Sequence, residues 1–171
     1  KDILLHFPYH SFDPLIDLLR EAAIDPHVEF IKITCYRLAK NSQIANALIN
    51  AARNGKKVLA VLELRARFDE AANLKWKERL EEEGVSVILG IPNMKVHAKL
   101  CLIKKVEFGK TKFFGFVSTG NFNEVTANFY GDHCLLTANR AILTDVEKVF
   151  AYLEKPSKIT NLSSCKTLAV S

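Results

Sequence analysis

The feature that most constrains the fold is a nearly uninterrupted apolar run, K-V-L-A-V-L-E-L, at residues 57–64. Strands with one wet face alternate apolar and polar residues, whereas parallel strands that are covered on both faces are apolar almost throughout. Segments of helical periodicity lie on either side of the run, at 42–54 and 70–83. Because strand and helix patterns alternate, the sequence predicts an α/β domain with a mixed sheet flanked by helices.

Other segments extend this alternation along the chain. Apolar residues at helical spacing follow Asp13, which we interpret as an N-cap with Pro14 at the first helical position. A strand carrying His97 follows the turn that begins at Gly90. The remaining patterns predict strands at 28–36, 85–89, 113–118 and 131–137, a hairpin tip at E-F-G-K-T-K, and a last helix at 141–153.

This order of elements predicts one domain at residues 1–157. We interpret residues 158–171 as a linker and the start of a following domain, because the apolar T-L-A-V has no partner in this chain. The sequence begins without Met, directly in apolar residues, which suggests a piece of a longer protein. The composition, 49% hydrophobic and 25% charged, is that of a globular domain.

Composition also indicates the cellular compartment of the protein and the charge of its ligand. No apolar run approaches the ~20 residues that cross a bilayer, and the N-terminus lacks the layout of a signal peptide. Four widely spaced cysteines form neither a zinc pattern nor a disulfide framework, which suits a reducing cytoplasm. We therefore expect a cytoplasmic protein, with peripheral membrane association of the parent left open. The net charge of +5 fits an anionic ligand but does not specify nucleic acid.

A histidine and a lysine interrupt the strand pattern of K-V-H-A-K-L-C-L. In an extended chain His97, Lys99 and Cys101 share one face. An imidazole and an ammonium on one face are costly to bury without partners. Either that face is open to water or it carries an anion. A structural histidine is the ordinary alternative for a single such residue.

Two arginines follow predicted parallel strands. Arg37 comes after I-K-I-T-C-Y, and Arg67 lies in L-R-A-R-F-D-E. Open α/β sheets bind ligands at the carboxyl ends of their strands. A guanidinium group there can hold phosphate oxygens with two hydrogen bonds. Solvated surface arginines are the alternative.

The run S-T-G-N-F-N, at 118–123, offers backbone N–H groups and the amide of Asn121 to an anion, although any tight turn has a similar composition. Tyr130 follows closely. His133 lies beside C-L-L and is more simply part of a strand. Pro8 separates His6 from His10 and argues against a helical metal-binding pair.

Together these motifs carry a resemblance. H-F-P-Y-H-S-F-D-P, Y-R, E-L-R-A-R-F-D-E-A-A-N, K-V-H-A-K-L and T-G-N-F-N-E-V-T-A-N-F-Y-G-D occur in this order over residues 1–157. The chain resembles bacterial polyphosphate kinases, and specifically the first of their two C-terminal phospholipase D-like domains. In phospholipase D relatives an aspartate follows the His-x-Lys motif at the position of Lys104. This departure is typical of the kinase branch.

The resemblance implies the site. His97 matches the histidine that ATP phosphorylates, with Lys99 stabilising charge, and Arg37 and Arg67 match arginines of the phosphate and Mg²⁺ site. Tyr130 matches a tyrosine of the nucleotide site, and Asn121 is assigned to the same substrate site. The implied ligands are ATP or ADP, inorganic polyphosphate and Mg²⁺. The implied partners are the missing domains of the parent chain, in a homo-oligomer that binds no nucleic acid.

Two alternatives remain open. The first is a phospholipase D-like phosphodiesterase half-domain, in which the same histidine attacks a phosphodiester; Lys104 argues against it. The second is that the isolated domain only binds polyphosphate or other anions. We expect the isolated piece to fold but not to turn over, because only one histidine motif of the expected two is present.

Overall fold

A computed structural model describes residues 1–63, 70–91, 95–156, 162 and 165–167. Within these residues a seven-stranded sheet carries helices on both faces. The strands are β1 (Ile3–Phe7), β2 (Val28–Cys35), β3 (Lys57–Leu62), β4 (Ser86–Leu89), β5 (Lys99–Glu107), β6 (Lys110–Ser118) and β7 (Asp132–Thr137). The helices are α1 (Asp13–Ile24), α2 (Gln43–Arg53), α3 (Glu70–Glu82) and α4 (Arg140–Glu154), with a 3₁₀ turn at Thr126–Asn128.

The strand order is β1-β7-β6-β5-β2-β3-β4. β2, β3 and β4 are parallel, and the other four strands extend the sheet in antiparallel pairs. The predicted mixed α/β sheet is therefore confirmed. Because β5 runs antiparallel to β2, the first residues of β5 lie beside the carboxyl end of β2.

Alternation along β5 divides the core. Cys101 and Ile103 are fully buried on the face covered by α1, α2 and α3. Leu100 and Leu102 pack on the opposite face with residues of α4 such as Phe150. β3 corresponds to the apolar run from which the fold was predicted. Its side chains are part of the hydrophobic core on both faces of the sheet, because helices cover both faces.

The structure corrects the start of α1. The N-cap is Phe12 rather than Asp13, and Asp13 is the first helical residue. The hydroxyl of Ser11 accepts the Asp13 N–H at 3.1 Å and donates to the Asp13 carboxylate at 2.7 Å, which draws Asp13 into the first turn. At α2, by contrast, Ser42 is the N-cap and its hydroxyl accepts from Ala45.

Two further differences bear on the site. The sequence pattern did not predict β1, which pairs with β7 from Ile3–Leu136 to Phe7–Asp132. The strand expected to carry His97 begins only at Lys99, so His97 precedes it. Cys101 and Lys99 are both buried, so of the two alternatives for their shared face the one that opens it to water does not hold at these residues.

Part of the chain after α4 packs back on that helix. Asp145 is buried, and its carboxylate accepts the backbone N–H groups of Lys166 at 2.8 Å and Thr167 at 2.6 Å. Most of the predicted linker at 158–171 lies outside the described residues. Among the helices that the structure describes, none has both the length and the apolar character to cross a membrane.

Candidate active site

A pocket of about 400 Å³ opens at the carboxyl end of β2. Its walls come from the ends of β2 and β6, the starts of β5 and β7, and the loop between β6 and β7. The lining residues are Tyr36, Arg37, His97, Lys99, Thr119, Gly120, Asn121, Thr126, Tyr130, Gly131 and Asp132. Five of the six residues singled out in the sequence, all except Arg67, therefore meet in one pocket.

Strand pairing explains why residues so distant in sequence meet here. Ile33 and Cys101 form the last main-chain pair between β2 and β5. Beyond it the hydroxyl of Thr34 continues the link, donating to the carbonyl of Ala98 at 2.6 Å and accepting the Leu100 N–H at 2.9 Å. The residues that flank His97 are thus fixed to the end of β2.

His97 projects from the segment before β5, with its side chain exposed. The edge of its ring meets the ring of Tyr36 at a centroid distance of 5.3 Å. The pKa of His97 is lowered, first by partial desolvation and then by the positive charges of Lys99 and Lys95. The imidazole is therefore largely neutral near pH 7, the form in which a ring nitrogen has a free lone pair.

Lys99 is 5% exposed, and its ammonium lies 2.9 Å from Nδ1 of His97 and 2.6 Å from the His97 carbonyl oxygen. It also lies 5.3 Å from the centroid of the Tyr36 ring. Burial lowers the pKa of Lys99 to about 8, and the negative charge of Asp132 acts in the opposite direction. Lys99 is therefore a buried cation that remains mostly charged at neutral pH.

Arg37 follows β2 and lines the same pocket, with its guanidinium carbon 5.8 Å from the centroid of the Tyr36 ring. Behind it, the buried amide of Asn73 donates to the carbonyl of Tyr36 at 3.1 Å and to that of Glu63 at 3.0 Å. Asn73, from α3, thus ties the ends of β2 and β3 together. Arg67 lies outside the described residues, and its predicted role stays a prediction.

The chain that leads into the His97 segment is also fixed. The carboxylate of Glu63, 3% exposed, accepts the backbone N–H of Val96 at 3.0 Å. Glu63 stands at the end of β3, so the two parallel strands and the segment before β5 are linked at one edge of the sheet. This edge is where open α/β sheets bind ligands.

The loop between β6 and β7 supplies oxygen atoms. Oδ1 of Asn121 is buried and has no hydrogen-bond partner among the residues that the structure describes. The carboxylate of Asp132 accepts from the Thr119 hydroxyl at 2.7 Å. The ring of Tyr130 is 63% exposed at the rim. Asp132 was not among the residues predicted from the sequence, because one acidic residue after a glycine carries no local signal.

The remaining histidines lie elsewhere. His133 is part of β7, as expected, and its ring stacks on that of His6 at 4.4 Å. The backbone N–H of His6 donates to Nδ1 of His10 at 2.8 Å. In the described part of the chain no group of three or more His, Cys, Asp or Glu side chains could hold a metal ion.

A groove of about 500 Å³ opens at the opposite edge of the sheet, near Lys56 and Lys57. Another of its cations, Lys32, is already paired with Glu154 at 2.7 Å. The groove contains none of the residues predicted from the sequence. The pocket around His97 is therefore the candidate active site.

Comparisons with known proteins agree on one family. The family model described as Polyphosphate kinase C-terminal domain 1 matches residues 1–159. The chain is 51% identical to the polyphosphate kinase of Escherichia coli K12 over 156 residues, which cover 91% of this chain and 23% of that protein. It is 50% identical to the polyphosphate kinase of Vibrio cholerae over the same length, 22% of that protein. The chain thus spans about a quarter of the length of these relatives.

Comparison with solved structures identifies the fold. The chain superposes on the polyphosphate kinase of Porphyromonas gingivalis with a TM-score of 0.79 and 46% identity, over 90% of this chain and 26% of that one. Nuc from Salmonella typhimurium, a phospholipase D family member, matches with a TM-score of 0.67 over 91% of this chain and 92% of its own. At 17% identity this second match shows the fold alone. The expected phospholipase D-like fold is confirmed.

Proposed function

Because this chain belongs to the polyphosphate kinase family, whose C-terminal domain 1 it matches, we propose that its pocket transfers the γ-phosphate of ATP to inorganic polyphosphate, reversibly, through a phosphohistidine at His97. One observation carries this proposal. The imidazole of His97, with a lowered pKa, lines the same pocket as the cationic side chains of Arg37 and Lys99. A neutral nucleophile among cations suits attack on a phosphate anion.

In this proposal Nε2 is the nucleophile, in the ring tautomer that carries its proton on Nδ1, the nitrogen that faces the Lys99 amine. Attack forms a bond between Nε2 and the γ-phosphorus and breaks the bond between that phosphorus and the bridging oxygen, so ADP leaves with the electron pair. The ring must then lose its Nδ1 proton to become neutral. The Lys99 amine, 2.9 Å away and with a pKa of about 8, can accept that proton when it is itself neutral. The terminal oxygen of a polyphosphate chain then attacks the phosphorus, the bond between Nε2 and phosphorus breaks, and Lys99 returns the proton to Nδ1 so that a neutral imidazole leaves.

The other lining residues bind and orient the substrate. Arg37 would hold phosphate oxygens through two hydrogen bonds, and Lys99 would neutralise their charge when protonated. Tyr130 offers an exposed ring to the nucleotide, and Asn121 an amide to the phosphates. Such transfer depends mainly on positioning and charge neutralisation.

When bound, Mg²⁺ supplies neutralisation of the phosphate oxygens. A guanidinium group has no lone pair for a metal, so Arg37 fits the phosphates and not the ion. The pocket does present carboxylate and amide oxygens, in Asp132 and Asn121, and these are donors that Mg²⁺ prefers.

The phosphodiesterase alternative gains no support from this pocket. Lys104, which stands where phospholipase D relatives have aspartate, is absent from the pocket lining. Its ammonium pairs with Glu29 at 2.7 Å and lies 6.0 Å from the centroid of the Phe30 ring. Lys104 therefore contacts residues of β2 and takes no part in the proposed chemistry at His97.

For the isolated chain we propose anion binding without turnover. The chain spans about a quarter of its relatives, and Tyr130 at the rim of its pocket is largely exposed. Charge stabilisation aimed at the transition state would then be incomplete, and one positioned group can contribute on the order of 10²-fold to 10³-fold in rate. Polyphosphate synthesis by the isolated chain at a rate near that of a full-length kinase would contradict this expectation.

The test of the phosphohistidine is made in the full-length parent protein. His97→Ala should abolish phosphorylation by ATP that is labile to acid and stable to base. His27→Ala is the matched control, because His27 is exposed and lies outside the pocket. Labelling of the His97→Ala protein on histidine to the wild-type extent would overturn the assignment.

A further inference from the structure

A carboxylate in a pocket for phosphate anions needs an explanation. Asp132 is the one acidic residue among those that the described structure places in the lining of the pocket around His97. Two like charges repel each other, and the repulsion grows where water is partly excluded. A pocket evolved only to hold polyphosphate would not gain from this group.

The position of Asp132 is built by the loop around it. Its Oδ1 accepts from the Thr119 hydroxyl at 2.7 Å, and that hydroxyl in turn accepts the His133 N–H at 3.0 Å. A Cβ on Gly120 would lie 2.3 Å from Oδ2 of Asp132, so the carboxylate occupies space that only glycine leaves free. The loop is therefore shaped to hold this carboxylate at the pocket.

Two oxygen atoms of the pocket lack hydrogen-bond donors. The hydrogen bond from Thr119 uses Oδ1 of Asp132, and no residue in the described ranges donates to Oδ2. Oδ1 of Asn121 is buried and has no hydrogen-bond partner in the part of the chain that the structure describes. Buried oxygen acceptors are normally satisfied, so this one, beside the half-buried carboxylate of Asp132, suggests a missing ligand.

We infer that Asp132 and Asn121 supply this chain's oxygen ligands to the Mg²⁺ that accompanies the phosphate substrate. Mg²⁺ in phosphate-transfer sites is usually held by one or two carboxylates together with phosphate oxygens and water. The ion would also remove the repulsion between Asp132 and the substrate. This inference rests on the proposed function. It assigns metal binding to Asp132 and Asn121 and phosphate binding to Arg37.

A different role for Asp132 makes different predictions. Asp132 favours the charged form of Lys99. If that were its whole purpose, replacing it would lower the pKa of Lys99 further and leave metal binding unchanged. Measuring both quantities on one set of variants therefore distinguishes a metal ligand from a counter-charge.

The experiment is a titration of the 171-residue chain with Mn²⁺ in the presence of inorganic tripolyphosphate, followed by electron paramagnetic resonance of the bound ion. Asp132→Asn, which keeps the shape but removes the charge, should weaken Mn²⁺ binding by about tenfold or more. Asn121→Ala should weaken it by a smaller factor. Thermal unfolding of each variant confirms that it is folded.

A thiol replacement tests direct ligation. Asp132→Cys should bind Cd²⁺ in preference to Mg²⁺, because thiolates select soft metals. The control is Asp17→Cys, which places the same thiol on the exposed side of α1, where Asp17 pairs with Arg20; it should show no such preference. Wild-type Mn²⁺ affinity in Asp132→Asn, or an Asp132→Cys protein indifferent to Cd²⁺, would overturn the inference.

No phosphoryl transfer occurs in this titration, so its failure is distinct from failure of the proposed function. His97→Ala should retain Mn²⁺ binding while losing phosphorylation in the parent protein. A parent enzyme that needs His97 but binds metal independently of Asp132 would leave the phosphohistidine standing and remove only the metal assignment.

Discussion

The ammonium of Lys99 lies 2.9 Å from Nδ1 of His97 and 2.6 Å from the carbonyl oxygen of the same residue. Lys99 is nearly fully buried, and burial is the main reason why its pKa falls. Because the folded protein prefers the neutral amine more than the unfolded chain does, keeping this cation in place at neutral pH costs stability. Functional sites commonly carry such a cost.

Replacing Lys99 should therefore stabilise the fold at neutral pH. The pKa falls from 10.5 to about 8, which corresponds to about 3 kcal/mol at pH values below 8. We expect Lys99→Met to raise the free energy of unfolding at pH 7 by a part of this amount, because two hydrogen bonds to His97 are lost. The gain should shrink between pH 8 and pH 10.5, because the wild-type amine is then neutral in the folded protein but still charged in the unfolded chain.

Urea unfolding at several pH values checks this prediction, with Lys110→Met at the exposed β5–β6 hairpin as control. The control should show no comparable pH-dependent gain. A Lys99→Met protein that is less stable than wild type at pH 7 would contradict the prediction and show that the ammonium is a net stabilising group.

Asn73 should matter for both stability and binding. Its amide holds the carbonyls of Tyr36 and Glu63, which end two parallel strands at the pocket. Asn73→Leu leaves both carbonyls without this donor and should cost about 2 kcal/mol. It should also weaken tripolyphosphate binding, because Arg37 directly follows Tyr36. The exposed Asn50→Ala is the control for urea unfolding and calorimetric titration; equal effects in the two variants would contradict the prediction.

The two glycines of the pocket should respond differently to alanine. A Cβ on Gly120 would lie within 2.7 Å of three atoms of Asp132, whereas one on Gly131 would meet no atom within 4 Å. Gly120→Ala should therefore destabilise the domain by about 1–3 kcal/mol, as overpacking does, and displace Asp132. Gly131→Ala should change thermal stability little. Similar melting temperatures for the two variants would mean that the loop relaxes around the added methyl group.

Asp145 should control the chain segment after α4. Asp145→Ala removes the acceptor of the Lys166 and Thr167 N–H groups and of the Lys148 ammonium at 3.0 Å. We expect faster hydrogen exchange at residues 166–167 and a loss of about 1–3 kcal/mol. Mass spectrometry of exchanged peptides measures this, with Glu147→Ala on the exposed face of α4 as control. Unchanged exchange in Asp145→Ala would show that other contacts hold the segment.

The sequence predicted the sheet well where burial leaves a local pattern. The apolar run of β3 predicted that both faces of the sheet are covered, and the helical pattern at residues 42–54 predicted α2. β1 was not predicted because it is short and pairs with β7, more than a hundred residues later. Such pairing depends on tertiary contacts rather than on local preference.

The candidate site was predictable in its members but not in its geometry. Residues after strand ends were expected to meet, and Arg37 and His97 do line one pocket. The alternation around His97 could not show where β5 begins, nor that Lys99 and Cys101 are buried while His97 is exposed. Asp132 was missed because its significance lies in its contact with Gly120, which no local pattern encodes.

The pairing of β1 with β7 has a consequence for the order in which the domain matures. β1 is synthesised more than a hundred residues before β7, so Ile3 stays without its partner Leu136 until almost the whole domain has been made. Asp132 is the first residue of β7 and lines the pocket. A nascent chain therefore completes the pocket around His97 only when β7 has been synthesised.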